Sequence, residues 1–255
     1  MSQVSPARAG GRGRSARKAP PSHAVRLALL NGFELSRDGV SIPLPFALQR
    51  LLAFLALHGQ PLLRTYVACN LWPDTTEERA HASLRSALWR LNRRGPLVVD
   101  ADGARLQLGT AVDVDFRAAR DLARRLVAET VDDATVENAE QLFDDLLPDW
   151  YDDWVLLERE GFRQLRLRAL DALCGQLMRR GRLDDALAVG YAALAAEPLR
   201  ESAHRTLMRI HLNEGNACEA LRQYRLCRRL LGELGIEPSR QMGELVDGLV
   251  TEAGA

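Results

Sequence analysis

The side chains best suited to holding an anion are arginines, and they gather in the stretch Glu77–Arg94, EERAHASLRSALWRLNRR. At helical spacing Arg79, Ala82, Ser86, Trp89, Arg90 and Arg93 share one side, Arg85 stands at its edge, and no acid follows Glu78. A guanidinium stays charged at physiological pH, and its planar fork fits a phosphate or the O6 and N7 edge of guanine. Such a face suits a nucleic-acid groove; the plain alternative is a solvated basic surface. The opposite side carries Ala80, Leu84, Ala87, Leu88 and Leu91, a stripe made for burial. Thr75 and Glu78 have the spacing of a capping box at the helix start, and Gly95-Pro96 ends the helix.

Other chemistries find less support. Asp144-Asp145, Asp152-Asp153 and Asp184-Asp185 are paired acids, but they lie in acidic helical surface without a partnered histidine or metal-ligand spacing. The sequence has no P-loop, GxSxG or GxGxxG motif. Cys69, Cys174, Cys218 and Cys227 form no CxxC pair, so reduced, buried thiols are expected. The chain therefore reads as a non-enzyme with no catalytic residue, no metal and no cofactor. No apolar run approaches the ~18 residues that a membrane helix needs, and the N-terminus lacks the apolar stretch of a secretion signal. A cytoplasmic protein without a membrane partner is expected.

The elements that must position Glu77–Arg94 follow from the chain order. A net charge of zero hides an asymmetry: residues 1–110 carry 15 basic and 7 acidic side chains, and the remainder carries 19 and 27. That pattern suggests a nucleic-acid partner at one end and another task at the other. Residues 1–21 hold five basic side chains, no acid and little apolar surface, and read as a disordered basic arm. From Val25 the apolar residues alternate, with an Asp38-Gly39 turn before Val40, as in short antiparallel strands. Leu48, Leu51, Leu52 and Leu55 then make a helical stripe that Gly59 ends, and a short helix follows over Arg64–Leu71. After Glu77–Arg94, two strands flank the turn Asp100-Ala101-Asp102-Gly103. A small sheet, three helices and a closing hairpin is the order of a winged helix, in which the third helix enters the major groove. In that setting Arg64 and Thr65 open the second helix, where free N–H groups and a basic side chain suit a phosphate. Arg105 in the wing is a candidate for phosphate or minor groove. Trp89 either stacks at the DNA or partner surface or folds over the core edge, and the core edge is favoured because tryptophan is usually mostly buried.

The phrases LPFALQRLLAFLALHGQPLLRTYVACNLWPD, ASLRSALWRLNR and GARLQL resemble the OmpR/PhoB-type winged-helix domain, and more narrowly that of the bacterial antibiotic regulatory proteins (SARP). The family's helix phrase is close to L-R-x-x-L-S-R-L-R-R. The framework leucines match here, as do Arg85, Arg90 and Arg93, whereas Trp89 replaces a small or basic residue and Asn92 an arginine. Ala104 stands where the family's wing has an aromatic.

Val112-Asp113-Val114-Asp115-Phe116 leads directly into a helix expected over about 116–130, so the two halves should pack together. In the back half, Gly181, Ala186 and Leu187 recur 34 residues later as Gly215, Ala220 and Leu221, and Leu173 recurs as Leu207. A helix–turn–helix period of that length is the tetratricopeptide signature. Helices around 137–147 and 156–173 are expected to supply further layers, with Trp72, Trp150 and Trp154 as core or inter-domain anchors. The segments around Trp150, Pro198 and Pro238 resemble the bacterial transcriptional activator domain that follows the winged helix in the same family. The expected fold is mainly α with a small β component: winged helix over 22–110, then a TPR-like domain over 111–255. The resemblance implies a sequence-specific, pathway-specific transcription activator. It would bind promoter DNA at direct repeats, as a homodimer there, and contact RNA polymerase and its sigma factor. The competing reading is a protein-interaction module acting through its repeats, with weak or altered DNA binding.

Overall fold

The computed structural model describes residues 25–94, 98–128 and 139–252. The expected arm over 1–21 and the Gly95-Pro96 stop lie outside these residues. Alternation from Val25 produces β1 (Val25–Ala28), β2 (Glu34–Arg37) and β3 (Val40–Ser41), joined in the order β3-β2-β1 with a fourth strand beyond β1. Asp38 and Gly39 turn the second hairpin with φ of 51° and 80°, the left-handed pair that a two-residue hairpin needs. The fourth strand, β7 (Val112–Val114), pairs parallel to β1 and belongs to the junction between the halves.

Helices α1 (Phe46–His58), α2 (Arg64–Leu71) and α3 (Glu77–Arg94) follow the expected order. Beside them lies a second sheet, β4-β6-β5, built from β4 (Leu62–Leu63), β5 (Val99–Asp102) and β6 (Arg105–Leu108). Asp102 pairs directly with Arg105, which confines the wing turn to Gly103 and Ala104. The turn expected at 100–103 is thus mostly strand. Helix α1 is more deeply placed than its leucine stripe suggests, because Ala53, Phe54, Ala56 and Leu57 are buried as well. Both halves cover it. Trp154 meets Phe54 edge-on at 5.1 Å, Trp150 meets Phe46 at 5.1 Å, and Arg117 donates Nε to the Ala56 carbonyl at 3.0 Å.

The back half consists of α4 (Asp115–Val127), a 3-10 turn (Ala139–Leu142), α5 (Asp153–Arg179), α6 (Leu183–Ala196), α7 (Glu201–Asn213), α8 (Ala217–Gly232) and α9 (Arg240–Glu252). The helix expected over 137–147 is not formed in its described part. After the 3-10 turn the chain opens out and pairs with the end of β1, through Asn31 N to Asp145 O and Leu147 N to Leu29 O. Arginine forks take the carbonyls that a helix would have used: Arg159 donates to Leu146, Leu147 and Trp150, and Arg166 to Asp144.

The repeat is real in its turns. At Gly181, Gly215 and Gly235 the glycine N–H bonds to a carbonyl three residues back, and the next N–H bonds five residues back. This is the Schellman closure, with the glycine in left-handed conformation. Ala186 and Ala220 are fully buried, as are Leu173 and Leu207. One apolar cluster runs from Val25 through Ile210 and spans both halves, and a smaller one around Met208, Cys227 and Met242 closes the far end. Trp150 is buried, while Trp72 and Trp154 pack half-buried against the main cluster, as core or inter-domain anchors should.

Two consequences can be measured. A Cβ at Gly190 would stand 2.6 Å from the Cδ2 of Leu207, which is fully buried. Gly190→Ala should therefore cost about 1–3 kcal/mol by overpacking, more than the ~1 kcal/mol of helix propensity it gains. A lower urea midpoint is expected, and an unchanged one would show that Leu207 can step aside. His204 is buried, with Nε2 2.8 Å from the Pro198 carbonyl and Nδ1 2.6 Å from Gln223 Nε2. Its burial, opposed by the Pro198 bond and the Glu201 charge, holds the imidazole below its ordinary 6.5. The unfolded chain thus takes up this proton more readily, so stability is full above about pH 6.5 and declines as pH falls below it. Urea titrations across that window should show the decline, and His204→Asn should flatten it.

Candidate nucleic-acid interface

Helix α3 begins one residue later in its capping than the sequence suggests. The Thr75 hydroxyl donates to the Trp72 carbonyl at 3.1 Å, closing the Trp72-Pro73-Asp74 turn ahead of the helix. Thr76 takes the role, its Oγ1 receiving the Arg79 N–H at 3.5 Å. The Glu78 carboxyl is held below its usual range by its own backbone N–H and then by the Thr76 hydroxyl. Both carboxylates of α3, Glu77 and Glu78, sit in this first turn, where negative charge suits the helix dipole. Glu77 lies 3.7 Å from His81. No acid follows Glu77 and Glu78 along the helix, where the arginines stand.

Ala80, Leu84, Ala87, Leu88 and Leu91 are buried as the stripe requires, and α3 packs on α1 and α2. That packing uses up one face. Arg79, Arg85, Ser86, Trp89, Arg90 and Arg93 are all exposed on the other. Trp89 corrects the core-edge expectation: it is 59% exposed, and the Arg93 guanidinium lies over its ring at 4.8 Å. The reason is angular. At about 100° per residue, Trp89 falls on the outward arc with Ser86 and Arg93, on the far side of the helix from Leu84 and Leu91. Arg90 stands between two shallow hollows, one shared with Pro45, Leu48, Trp89 and Arg93, the other with Ala47, Trp72, Ala82 and Ser86. No periodicity could have found Pro45 and Ala47, because only the packing of α1 against α3 brings them there.

The remaining candidates gather at the wing. Arg64 is half-buried and donates Nε to the Gly103 carbonyl at 2.9 Å, while its backbone N–H bonds Ala104 O at 2.8 Å. Arg105 is exposed and donates Nη1 to Pro61 O at 3.1 Å. Each arginine thus ties its own segment to the other's, and the pair clamps the wing turn to the start of α2. Thr65 is exposed in the first turn of α2.

The cysteines divide: Cys174 and Cys227 are buried and Cys69 and Cys218 exposed, so burial holds for two of the four. Desolvation pushes the Cys174 thiol up to about 12 and the Cys227 thiol to about 11, which leaves both protonated and unreactive. Among the described residues no helix is long and apolar enough to cross a membrane.

Comparison with known proteins bears on the family and the fold. A family model described as bacterial transcriptional activator domain matches residues 102–249, more than half of the chain, beginning in the wing and ending in α9. No curated protein matches. Among solved structures, Mycobacterium tuberculosis EmbR in complex with a low affinity phosphopeptide is similar with a TM-score of 0.68 and 20% identity, over 90% of this chain and 66% of that one. At that identity the two share a fold, and this chain spans 66% of the other's length.

The clamp at the wing gives a prediction that needs no DNA. Arg64→Ala with Arg105→Ala should loosen β5 and β6, raising their amide hydrogen exchange while α6–α8 stay protected. Unchanged exchange in the wing would show that the strand pairing alone holds it.

Proposed function

The chain belongs to the bacterial transcriptional activator domain family, and we propose that it is a sequence-specific DNA-binding activator that lays α3 in the major groove of promoter DNA. The observation that carries this reading is the division of α3: its apolar stripe is spent on α1 and α2, and the arginine face, with no acid after the first turn, is left outward. In this reading Arg90 and Arg93 contact base edges or phosphates, with Arg79, Arg85, Ser86 and Trp89 completing the face. Arg64, Thr65 and Arg105 meet the DNA backbone beside the wing, using N–H groups beyond those that hold the turn. Two copies on direct repeats about one helical turn apart would suit this geometry. The helical half then bridges the copies or contacts RNA polymerase and its sigma factor, for which the exposed Tyr151 and Leu157 at the start of α5 offer apolar surface.

No bond is made or broken in such a mechanism. Each ~1.4 kcal/mol of contact between the bound activator and polymerase raises promoter occupancy about tenfold, which is sufficient at a weak promoter. Pathway-specific control would then reside in which promoters carry the repeats.

Gel-shift titration against the region upstream of the protein's own coding sequence tests the reading. Affinity should fall steeply with salt, because each neutralised phosphate releases counterions. Arg90→Ala should cost about 1–3 kcal/mol, as loss of a bidentate contact does. Unchanged affinity would remove Arg90 from the interface. A shallow salt slope without sequence preference would favour an interaction module instead.

A further inference from the structure

Trp89 is the largest apolar side chain that α3 turns to solvent. Full burial of an aromatic of this size is worth roughly 1.5–3 kcal/mol, yet 59% of it remains exposed. The stacked Arg93 at 4.8 Å gives back only about 0.5–1 kcal/mol at an exposed site. Its neighbours narrow what the ring could meet. Arg93 lies over one of its surfaces, and Arg79, Ser86 and Arg90 share its arc. Ala82 and Ser86, also on this arc, are small enough to let the helix axis come close to a groove floor. An indole has one N–H donor and no acceptor, so its ring meets a ligand chiefly by apolar contact. This ring shares its arc with Arg79, Arg90 and Arg93, the positive charge that a phosphate-lined groove calls for. Within the major groove the one apolar group on any base edge is the 5-methyl of thymine.

Resting on the DNA-binding reading, we propose that Trp89 is a specificity-determining residue that reads a thymine through its 5-methyl group. Arg93, held against the indole, is thereby aimed at the phosphate or guanine next to that base. The apolar walls Pro45 and Leu48, which line the same hollow as Trp89 and Arg93, help exclude water from the methyl contact. Trp89 and Arg93 then act as a unit: removing the ring both deletes the methyl contact and releases the guanidinium.

Uracil has the base-pairing and hydrogen-bonding edges of thymine and lacks only this methyl, which supplies a direct test. The full-length protein is used to select binding sites from two libraries of random duplexes, one synthesised with thymine and one with uracil. The wild type should fix thymine at a particular position, and that preference should fall about fourfold in the uracil library, the value of one buried methyl. Trp89→Ala should lose the same preference in the thymine library, and Trp89→Phe should keep part of it. Equal wild-type preferences in the two libraries would overturn the proposal while leaving the DNA-binding reading intact. So would a Trp89→Ala protein that keeps its preferred site but no longer stimulates transcription by polymerase in vitro, since the ring would then be a protein contact. If the wild type selects no sequence from either library, the DNA-binding reading falls and takes this proposal with it.

Discussion

The carboxylate of Asp115 holds the two halves of the chain in one register. Its Oδ1 accepts the backbone N–H of Leu29 at 2.8 Å and of Phe116 at 2.6 Å, and its Oδ2 accepts that of Leu30 at 3.3 Å. Burial pushes this carboxyl up from its usual range, and the three N–H bonds and the Arg26 charge oppose that shift. A buried donor left unpaired costs about 1–3 kcal/mol, so the end of β1 and the start of α4 are fixed together. Around this point β7 lies parallel to β1, Leu146-Leu147 pairs with the same strand end, and Arg50 reaches Asp152 at 2.5 Å. The junction is a shared sheet and core rather than a linker.

A second constraint governs the stretch after the 3-10 turn. Backbone carbonyls buried without a helix or sheet partner are costly, and here side chains from α5 satisfy them. Arg159 serves three carbonyls and Arg166, only 1% exposed, serves one while pairing with Asp145. The irregular backbone this permits carries Trp150 to Phe33 and Phe46 and delivers Trp154 to Phe54. Helix α1 is therefore enclosed from both sides, which is why nearly every residue of its second half is buried. The same helix α1 thus packs against the helical half on one side and against α3 on another.

The matched activator domain is braced against α1, the helix on which α3 packs. One continuous apolar cluster runs from Val25 to Ile210, so the winged half and the helical half share a core. The repeat stack continues from that core through Schellman turns, and the small cluster around Met242 ends it. Nothing in such a scheme calls for a reactive group, in keeping with the high pKa values of the buried thiols.

Much of this was legible in the residues alone. The period of α3, the turn at Asp38-Gly39 and the glycine-alanine-leucine recurrence are local patterns, and local sterics and periodicity decide them wherever they occur. Which face of α3 would be outward was also legible, since a stripe of five apolar residues leaves no other choice. Other features depended on what came to lie alongside. Thr76 rather than Thr75 caps α3, while Thr75 closes the Trp72 turn, and Arg64 and Arg105 clamp the wing because the strand pairing sets them against the Gly103 and Pro61 carbonyls. Residues 143–152 forgo a helix because Arg159 and Arg166, distant in sequence, satisfy their backbone. Trp89 stays in water because the core on the opposite side of α3 is already filled. Sequence determines what each segment can do by itself; only packing settles which of its polar groups and rings are left over for a partner, because that depends on groups with no fixed spacing in the chain.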